Sequence, residues 1–302
     1  MQLRPALNEA IERLTAERVP SPRMNAELLI MFTLDCDRAC LYAHPERELT
    51  ADEVSRYDAA LARRSTGVPA QYITGHQEFW GRGLIVSPAV LIPRPETEHV
   101  VEAVLALASG ADSMQKQDQR PRTGVSATHQ LRIVDIGTGS GAIALALAGE
   151  FPAAEIHATD ISEAALEVAR ANAARHKLSS RIRFHHADLL SGLPLEKFDF
   201  VISNPPYVGE SEEESVQLEV RKFEPRNAVF AGPTGLDVIE RLIPQACAAL
   251  APGGWLVFEI SGTIADGVQK LLSGWSEVHI ENDLQGIARV AIARKATGPL
   301  SD

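Results

Sequence analysis

The sequence predicts an α/β protein, a seven-stranded, mostly parallel sheet with helices on both faces, preceded by a small helical bundle and a β-hairpin. Three patterns predict it. Up to about Gly75, apolar residues recur at helical steps. Between Glu78 and Ile92, short β-rich runs sit around glycines. After Leu131, short apolar strands alternate with amphipathic helices. The expected boundaries are a helical domain over 1–75, a hairpin linker over 76–95 and an α/β domain over 96–302.

In the first region Leu3, Leu7, Ile11 and Leu14 mark one helix face, and the run Asn25–Phe32 begins a second helix after Pro22. Ala51 to Arg64 reads as a third, with Thr50 as N-cap and Glu53 completing a capping box. Phe79–Val86 and Val90–Ile92 read as the two runs of the hairpin. A helix is expected over Glu96–Ala108. Ser109–Gln130 is polar and aperiodic, and is expected to be a mobile surface loop.

Strands are expected at Leu131–Asp135, Glu155–Asp160, Arg181–His186, Phe198–Ser203, Gly254–Ile260, Glu277–Glu281 and Ala288–Ala293, with helices after Gly141, Glu163, Gly235 and Ile264. The gap between the last two strands is too short for a parallel crossover, so one of them should run antiparallel.

Composition narrows the function. Of 302 residues, 45% are hydrophobic and 23% charged, as in an ordinary soluble domain, and no apolar run is long enough to span a membrane. The first residues do not read as a signal peptide, so a cytoplasmic protein is expected. Cys36, Cys40 and Cys247 are too few for a disulfide framework and read as small buried residues, the first two in one helical stretch. His185-His186 lacks further ligands nearby, so no metal is expected. A net charge of −11 counts against an enzyme that grips nucleic acid directly, because phosphate contacts need a basic face.

Ile133–Ala144 reads as a strand, a glycine turn and a helix start. Glycines let a ligand approach the backbone, and amides at the helix start meet its polar end. Gly137, Gly139 and Ala142 also satisfy a dinucleotide fingerprint, and Asp160, at the end of the next strand, suits ribose hydroxyls in either ligand class. Asp135 before the glycines suits a cationic methionine end better than a pyrophosphate. Asp188, past the third strand, is placed to meet an adenine amino group. These acids favour S-adenosylmethionine, with S-adenosylhomocysteine as product.

Asn204-Pro205-Pro206-Tyr207 decides between the two. It follows the fourth strand, whose carboxyl end should face the ligand crevice. Two prolines stiffen the turn. Asn204's side-chain oxygen and the Pro205 carbonyl then form a fixed pair of acceptors, matching the two donors of a planar –NH2 group, and Tyr207 offers a ring to stack on it. An amide nitrogen is a poor nucleophile, so orientation beside a methyl sulfonium, together with acceptors for the developing positive charge, is what catalysis requires.

With these residues the chain resembles the bacterial peptide chain release factor glutamine N5-methyltransferases of the HemK type, a class I S-adenosylmethionine-dependent methyltransferase fold. The resemblance spans nearly the whole chain: Leu41–Arg47, Gln71–Gly75, Glu78–Gly81, Leu91–Glu98, the glycine loop, Asn204–Tyr207 and Arg221–Pro225. It implies a donor site at Gly137, Thr138, Gly139, Ser140, Gly141, Asp160 and Asn204, with Leu189 beside the adenine. It implies a substrate site at Asn204–Tyr207, walled by Leu91, Pro93, Arg94 and Pro95. The implied substrate is the glutamine of the Gly-Gly-Gln motif in class I release factors, docked with help from the N-terminal bundle. Leu189 in place of an aromatic, Ser261 in place of a glycine and the long Ser109–Gln130 stretch depart from the family pattern. Adenine methylation in nucleic acid, ribosomal-protein glutamine methylation and a non-catalytic donor-binding scaffold are the rival readings; a DNA enzyme would also need a way to flip its base.

Overall fold

The structure is a computed structural model that describes residues 1–117, 130–193 and 197–297. It divides into two compact units, one of Met1–His76 with Val216–Phe223, the other of Gln77–Ser215 with Glu224–Asp302.

The first unit holds helices α1 (Leu3–Ala16), α2 (Pro22–Leu34), α3 (Arg38–Ala43), α4 (Ala51–Ser65) and α5 (Ala70–Thr74). Leu3, Leu7 and Leu14 of α1 pack with Ala26, Leu29 and Ile30 of α2 and Tyr57 and Leu61 of α4. Each leucine so buried contributes roughly 1.5–3 kcal/mol. Pro22 opens α2 because the first helical position needs no amide donor. The expected capping box is present, with Glu53 N donating to Thr50 Oγ1 at 3.2 Å and Thr50 N to Glu53 Oε2 at 2.8 Å. Arg64, 3% exposed, donates to Asn25 Oδ1 at 2.7 Å and to Val68 O at 3.2 Å, and pairs with Glu219 at 2.7 Å.

The hairpin of β1 (His76–Phe79) and β2 (Arg82–Ile85) starts on the last residue of the Met1–His76 segment and continues into the second unit, and its turn holds Trp80 and Gly81 at φ 50° and 64°. Both turn residues having positive φ is what a right-twisted hairpin requires. A 3-10 turn over Pro95–Thr97 leads into α6 (Glu98–Gln117). Then follow β3 (Arg132–Ile136), α7 (Ala142–Glu150), β4 (Glu155–Asp160), α8 (Glu163–Arg175), β5 (Ile182–His186) and β6 (Phe198–Ser203). The short helix α9 (Leu218–Phe223) lies in the segment counted with the first unit. The chain ends with α10 (Arg226–Val229), α11 (Asp237–Ala249), β7 (Leu250–Glu259), α12 (Ala265–Leu271), β8 (Ser276–Asn282) and β9 (Ala288–Arg294).

The seven strands order as β5-β4-β3-β6-β7-β9-β8. All pairs are parallel except β7–β9 and β8–β9, so the odd strand is β9. Successive residues of β3 serve opposite layers: Ile133 joins Val100, Val104, Leu145 and Leu147, while Val134 joins Ile239, Leu242 and Phe258. Helix α7 is buried along Ala142–Ala148, an apolar helix whose alanines allow close approach. Strand order reverses between β3 and β6, and the crevice outside their carboxyl ends is where such sheets bind ligands.

Several expectations need correction. Val90–Ile92 is not a strand; an apolar run that walls a cavity has the same composition as one that pairs. The helix expected from Glu96 begins as a 3-10 turn and then runs on to Gln117, through the first part of the expected loop, while 118–129 lies outside the described residues. Cys36 precedes α3 rather than lying within it, and all three cysteines are half-buried rather than buried. The short helices α5, α9 and α10 went unread because fewer than two turns carry no periodic signal.

Candidate active site

Strand β3 delivers Asp135, 1% exposed, beneath the glycine loop. Its Oδ2 accepts from Thr138 Oγ1 at 2.6 Å and Ala144 N at 3.2 Å, while its Oδ1 has no hydrogen-bond partner. Burial pushes this carboxyl up to about 7, against the pull of those two donors. Strand β4 delivers Asp160, which ties down the same loop: Gly139 N donates to its Oδ2 and Ser162 N to its Oδ1, each at 2.9 Å. Its pKa is also raised, chiefly by burial. The glycines divide by task. A Cβ on Gly137 or Gly139 would meet nothing within 4 Å, whereas one on Gly141 would lie 3.2 Å from Ala169 Cβ. The first two open onto free space where a ligand can rest on backbone; the third lets α8 pack.

Strand β6 delivers the diproline turn. Ser203 Oγ donates to Ile136 O at 2.8 Å, locking the two strand ends together. Asn204 Nδ2 donates to Thr97 Oγ1 at 3.0 Å, and Thr97 Oγ1 donates to Glu259 Oε2 at 2.5 Å. Tyr207 donates its hydroxyl to Glu259 Oε1 at 2.9 Å. Burial is the main cause that raises the pKa of both Glu259 and Tyr207, so the phenol keeps its proton. The turn is buttressed from behind: a Cβ on Gly235 would fall 2.3 Å from Tyr207 O. Glu224, 6% exposed, holds the segment around Pro93, accepting from Ile92 N at 3.1 Å and from Arg94 at 2.5 Å.

These pieces enclose a cavity of about 330 Å³, within the range of small-molecule sites. Gly137, Thr138, Gly139, Ser140, Asp160, Asp188, Leu189, Asn204 and Pro206 border it, as do Leu91 and Pro93. Among the residues expected at the site, Asp135, Gly141, Arg94, Pro95, Pro205 and Tyr207 do not line it. Asp188 already pairs with Arg241, which also borders the cavity. Leu189 adopts a left-handed φ of 55°, rare for a leucine.

Comparison with known proteins matches residues 5–75 to the PrmC N-terminal domain family and residues 122–222 to the methyltransferase small domain family. Release factor glutamine methyltransferase of Koribacter versatilis is 52% identical over 298 residues, covering 98% of this chain and 100% of that protein. The chain belongs to the release factor glutamine methyltransferases. The member from Moorella thermoacetica is 42% identical over 90% of this chain and 89% of its own length; that from Coxiella burnetii is 39% identical over 91% and 92%. Among solved structures, the hMettl16 catalytic domain superposes with a TM-score of 0.54 over 82% of this chain and 83% of its own, at 15% identity, a likeness of fold alone.

Sequence reasoning missed several residues that line or brace this cavity. Thr97, Glu224 and Glu259 were visible only as letters within longer motifs. Their one available signal was a carboxylate or hydroxyl stranded in an apolar context, as in Phe258-Glu259-Ile260. Asn227, Phe230 and Arg241, which border the cavity, lie past the turn and carried no signal. The pair His157 and His185 stack with ring centroids 5.0 Å apart. Among the described residues, no cluster of three or more His, Cys, Asp or Glu could hold a metal ion.

Proposed function

We propose that the protein transfers a methyl group from S-adenosylmethionine to the side-chain amide nitrogen, N5, of the glutamine in the Gly-Gly-Gln motif of class I release factors. The observation that carries this reading is Asn204, which borders the cavity while its nitrogen is engaged by Thr97, leaving its oxygen as the free acceptor.

The residues present suit the donor. Gly137 and Gly139 leave backbone bare on the cavity side, Asp160 keeps unused lone pairs on both oxygens for ribose hydroxyls, and the unpartnered Asp135 Oδ1 supplies negative potential below the loop. Leu189 and Asp188 would flank the adenine. When bound, the donor supplies an electrophilic methyl on a sulfonium.

The rest is the work of the chain. Asn204 Oδ1 at the cavity wall and the Pro205 carbonyl, next in the turn and just outside the cavity lining, would hold the two N–H bonds of the acceptor amide, so the nitrogen keeps one orientation. Tyr207, behind the cavity lining with its hydroxyl on Glu259, would brace the turn on the side of the amide plane. The two acceptors also stabilise the positive charge that grows on nitrogen during attack. No general base is needed, since an N-protonated amide is strongly acidic and releases its proton to water after transfer. Pro93 and the segment ordered by Glu224 wall the acceptor side. The N-terminal unit, with exposed Met24, Phe32 and Tyr42, would help to dock the protein substrate. No helix among the described residues is long and apolar enough to cross a membrane, and we place the protein in the cytoplasm, acting on a protein without a direct grip on nucleic acid.

The test is transfer of labelled methyl into purified release factor, with DNA and ribosomes as parallel acceptors. Release factor should be labelled, and its Gly-Gly-Gln glutamine replaced by alanine should not. Asn204→Ala should lower kcat by about 10²–10³ while donor affinity stays within a few-fold. Labelling of DNA instead, or an Asn204→Ala enzyme of near-normal rate, would overturn the assignment.

A further inference from the structure

A carboxamide has two ends of almost equal shape and opposite hydrogen-bonding character, so a turn that relies on the oxygen of Asn204 needs something to choose that end. The surroundings of Thr97 make the choice. A threonine hydroxyl has one proton. Glu259, 1% exposed, lies 2.5 Å from Thr97 Oγ1 through Oε2, and its Oε1 already accepts from the Tyr207 hydroxyl at 2.9 Å. A hydroxyl donates to each of its two oxygens, Thr97 to one and Tyr207 to the other, which favours the carboxylate against the burial that raises its pKa. In that form it offers acceptors only, so it takes the threonine proton and leaves Thr97 facing Asn204 with lone pairs alone. Only an N–H can answer them, and Asn204 Nδ2 sits there at 3.0 Å. Turning the amide over would set two oxygens against each other in a buried place.

We propose that Glu259, acting through the Thr97 hydroxyl, fixes the polarity of the Asn204 carboxamide and thereby commits the site to acceptors that present an –NH2 group. Glu259 and Thr97 are positioning residues; neither touches the reacting atoms. The same carboxylate holds Tyr207, so one buried charge sets both the acceptor oxygen and the ring beside it. The relay joins three segments distant in sequence: the 3-10 turn before α6, the diproline turn and the end of β7. The inference rests on the proposed reading that Asn204 grips the acceptor amide.

Thr97→Val, Thr97→Ser, Glu259→Gln and the double variant Glu259→Gln/Thr97→Val test it. Valine keeps the shape and removes the hydroxyl; kcat should fall by about 10²-fold, with KM for release factor and affinity for S-adenosylhomocysteine within about 3-fold. Serine should restore most of that loss. Glu259→Gln leaves one acceptor where two hydroxyls donate and should lower kcat by at least about 10-fold. The double variant should fall little below Thr97→Val, because both break one relay. The Asn204 side-chain amide resonance, assigned by its disappearance in Asn204→Asp, reads the relay without turnover. It should exchange slowly in the unsubstituted protein and in Thr97→Ser, and like a free amide in Thr97→Val. A Thr97→Val enzyme within about 3-fold of normal kcat, a serine variant as slow as the valine one, or multiplying effects in the double variant would overturn the proposal. If release factor is not methylated but the amide resonance behaves as described, the relay stands and the assigned substrate falls.

Discussion

At Asp135 one carboxylate oxygen is held by Thr138 and Ala144 while the other is sealed from water with no donor, and burial lifts the group to about 7 from an ordinary value of 3.8. Between those two values the folded chain holds a proton that the unfolded chain has released. Stability therefore declines as pH rises through that window and levels off above 7, a contribution on the order of 4 kcal/mol at most. Thermal denaturation from pH 5 to 8 without ligand should show this decline, and Asp135→Asn should flatten it while weakening binding of S-adenosylhomocysteine by about tenfold or more. Equal slopes in the two proteins would remove Asp135 as the cause. That an acid precedes the glycines at the end of a strand was legible from the sequence. Its lack of a partner was not, because that depends on how loop and helix close over it.

The diproline turn shows the same division at the scale of an element. Its stiffness can be read from Pro205 and Pro206, but its placement depends on Gly235, whose φ of 80° and missing Cβ let the loop after α10 lie against Tyr207 O. Gly235→Ala should lower the melting temperature by several degrees and reduce methyl transfer, with the α/β circular dichroism retained; an unshifted melting curve would show that the loop gives way freely. Loss of the Thr50 cap of α4 should be milder, about 1 kcal/mol for Thr50→Ala by denaturant titration. All seven strands of the large sheet were legible, the central parallel ones because such buried strands are continuous apolar runs between turn signals, and the exposed edge strand β8 by the alternation of Val278 and Ile280 with polar residues. Val90–Ile92 satisfied the same rule and formed no strand. The run from Ser109 to Gln117 misled in the other direction: Gly110 and its polar residues suggested a loop, yet Ala111, Met114, Gln115, Lys116 and Gln117 are strong helix formers.

For the molecule as a whole, the fold class could be read from strand–helix alternation, whereas the bonds that assemble the site join residues up to 162 apart, as between Thr97 and Glu259, and no local pattern announces such pairs. Binding of S-adenosylhomocysteine at 100 times its Kd should stabilise the folded protein by about 2.7 kcal/mol and raise its melting temperature, and NAD at the same concentration should not. A shift with NAD instead would reopen the dinucleotide reading of the glycine loop. The pairing of Arg64 with Glu219 has a temporal consequence. During synthesis the helical bundle leaves the ribosome first, yet the carboxylate that neutralises its buried guanidinium emerges only after most of the sheet has been made. An early fragment ending at His76 would hold that guanidinium without its counter-ion, a defect of roughly 3–5 kcal/mol. The first helices translated would thus be among the last to settle, waiting on a peptide that follows the diproline turn.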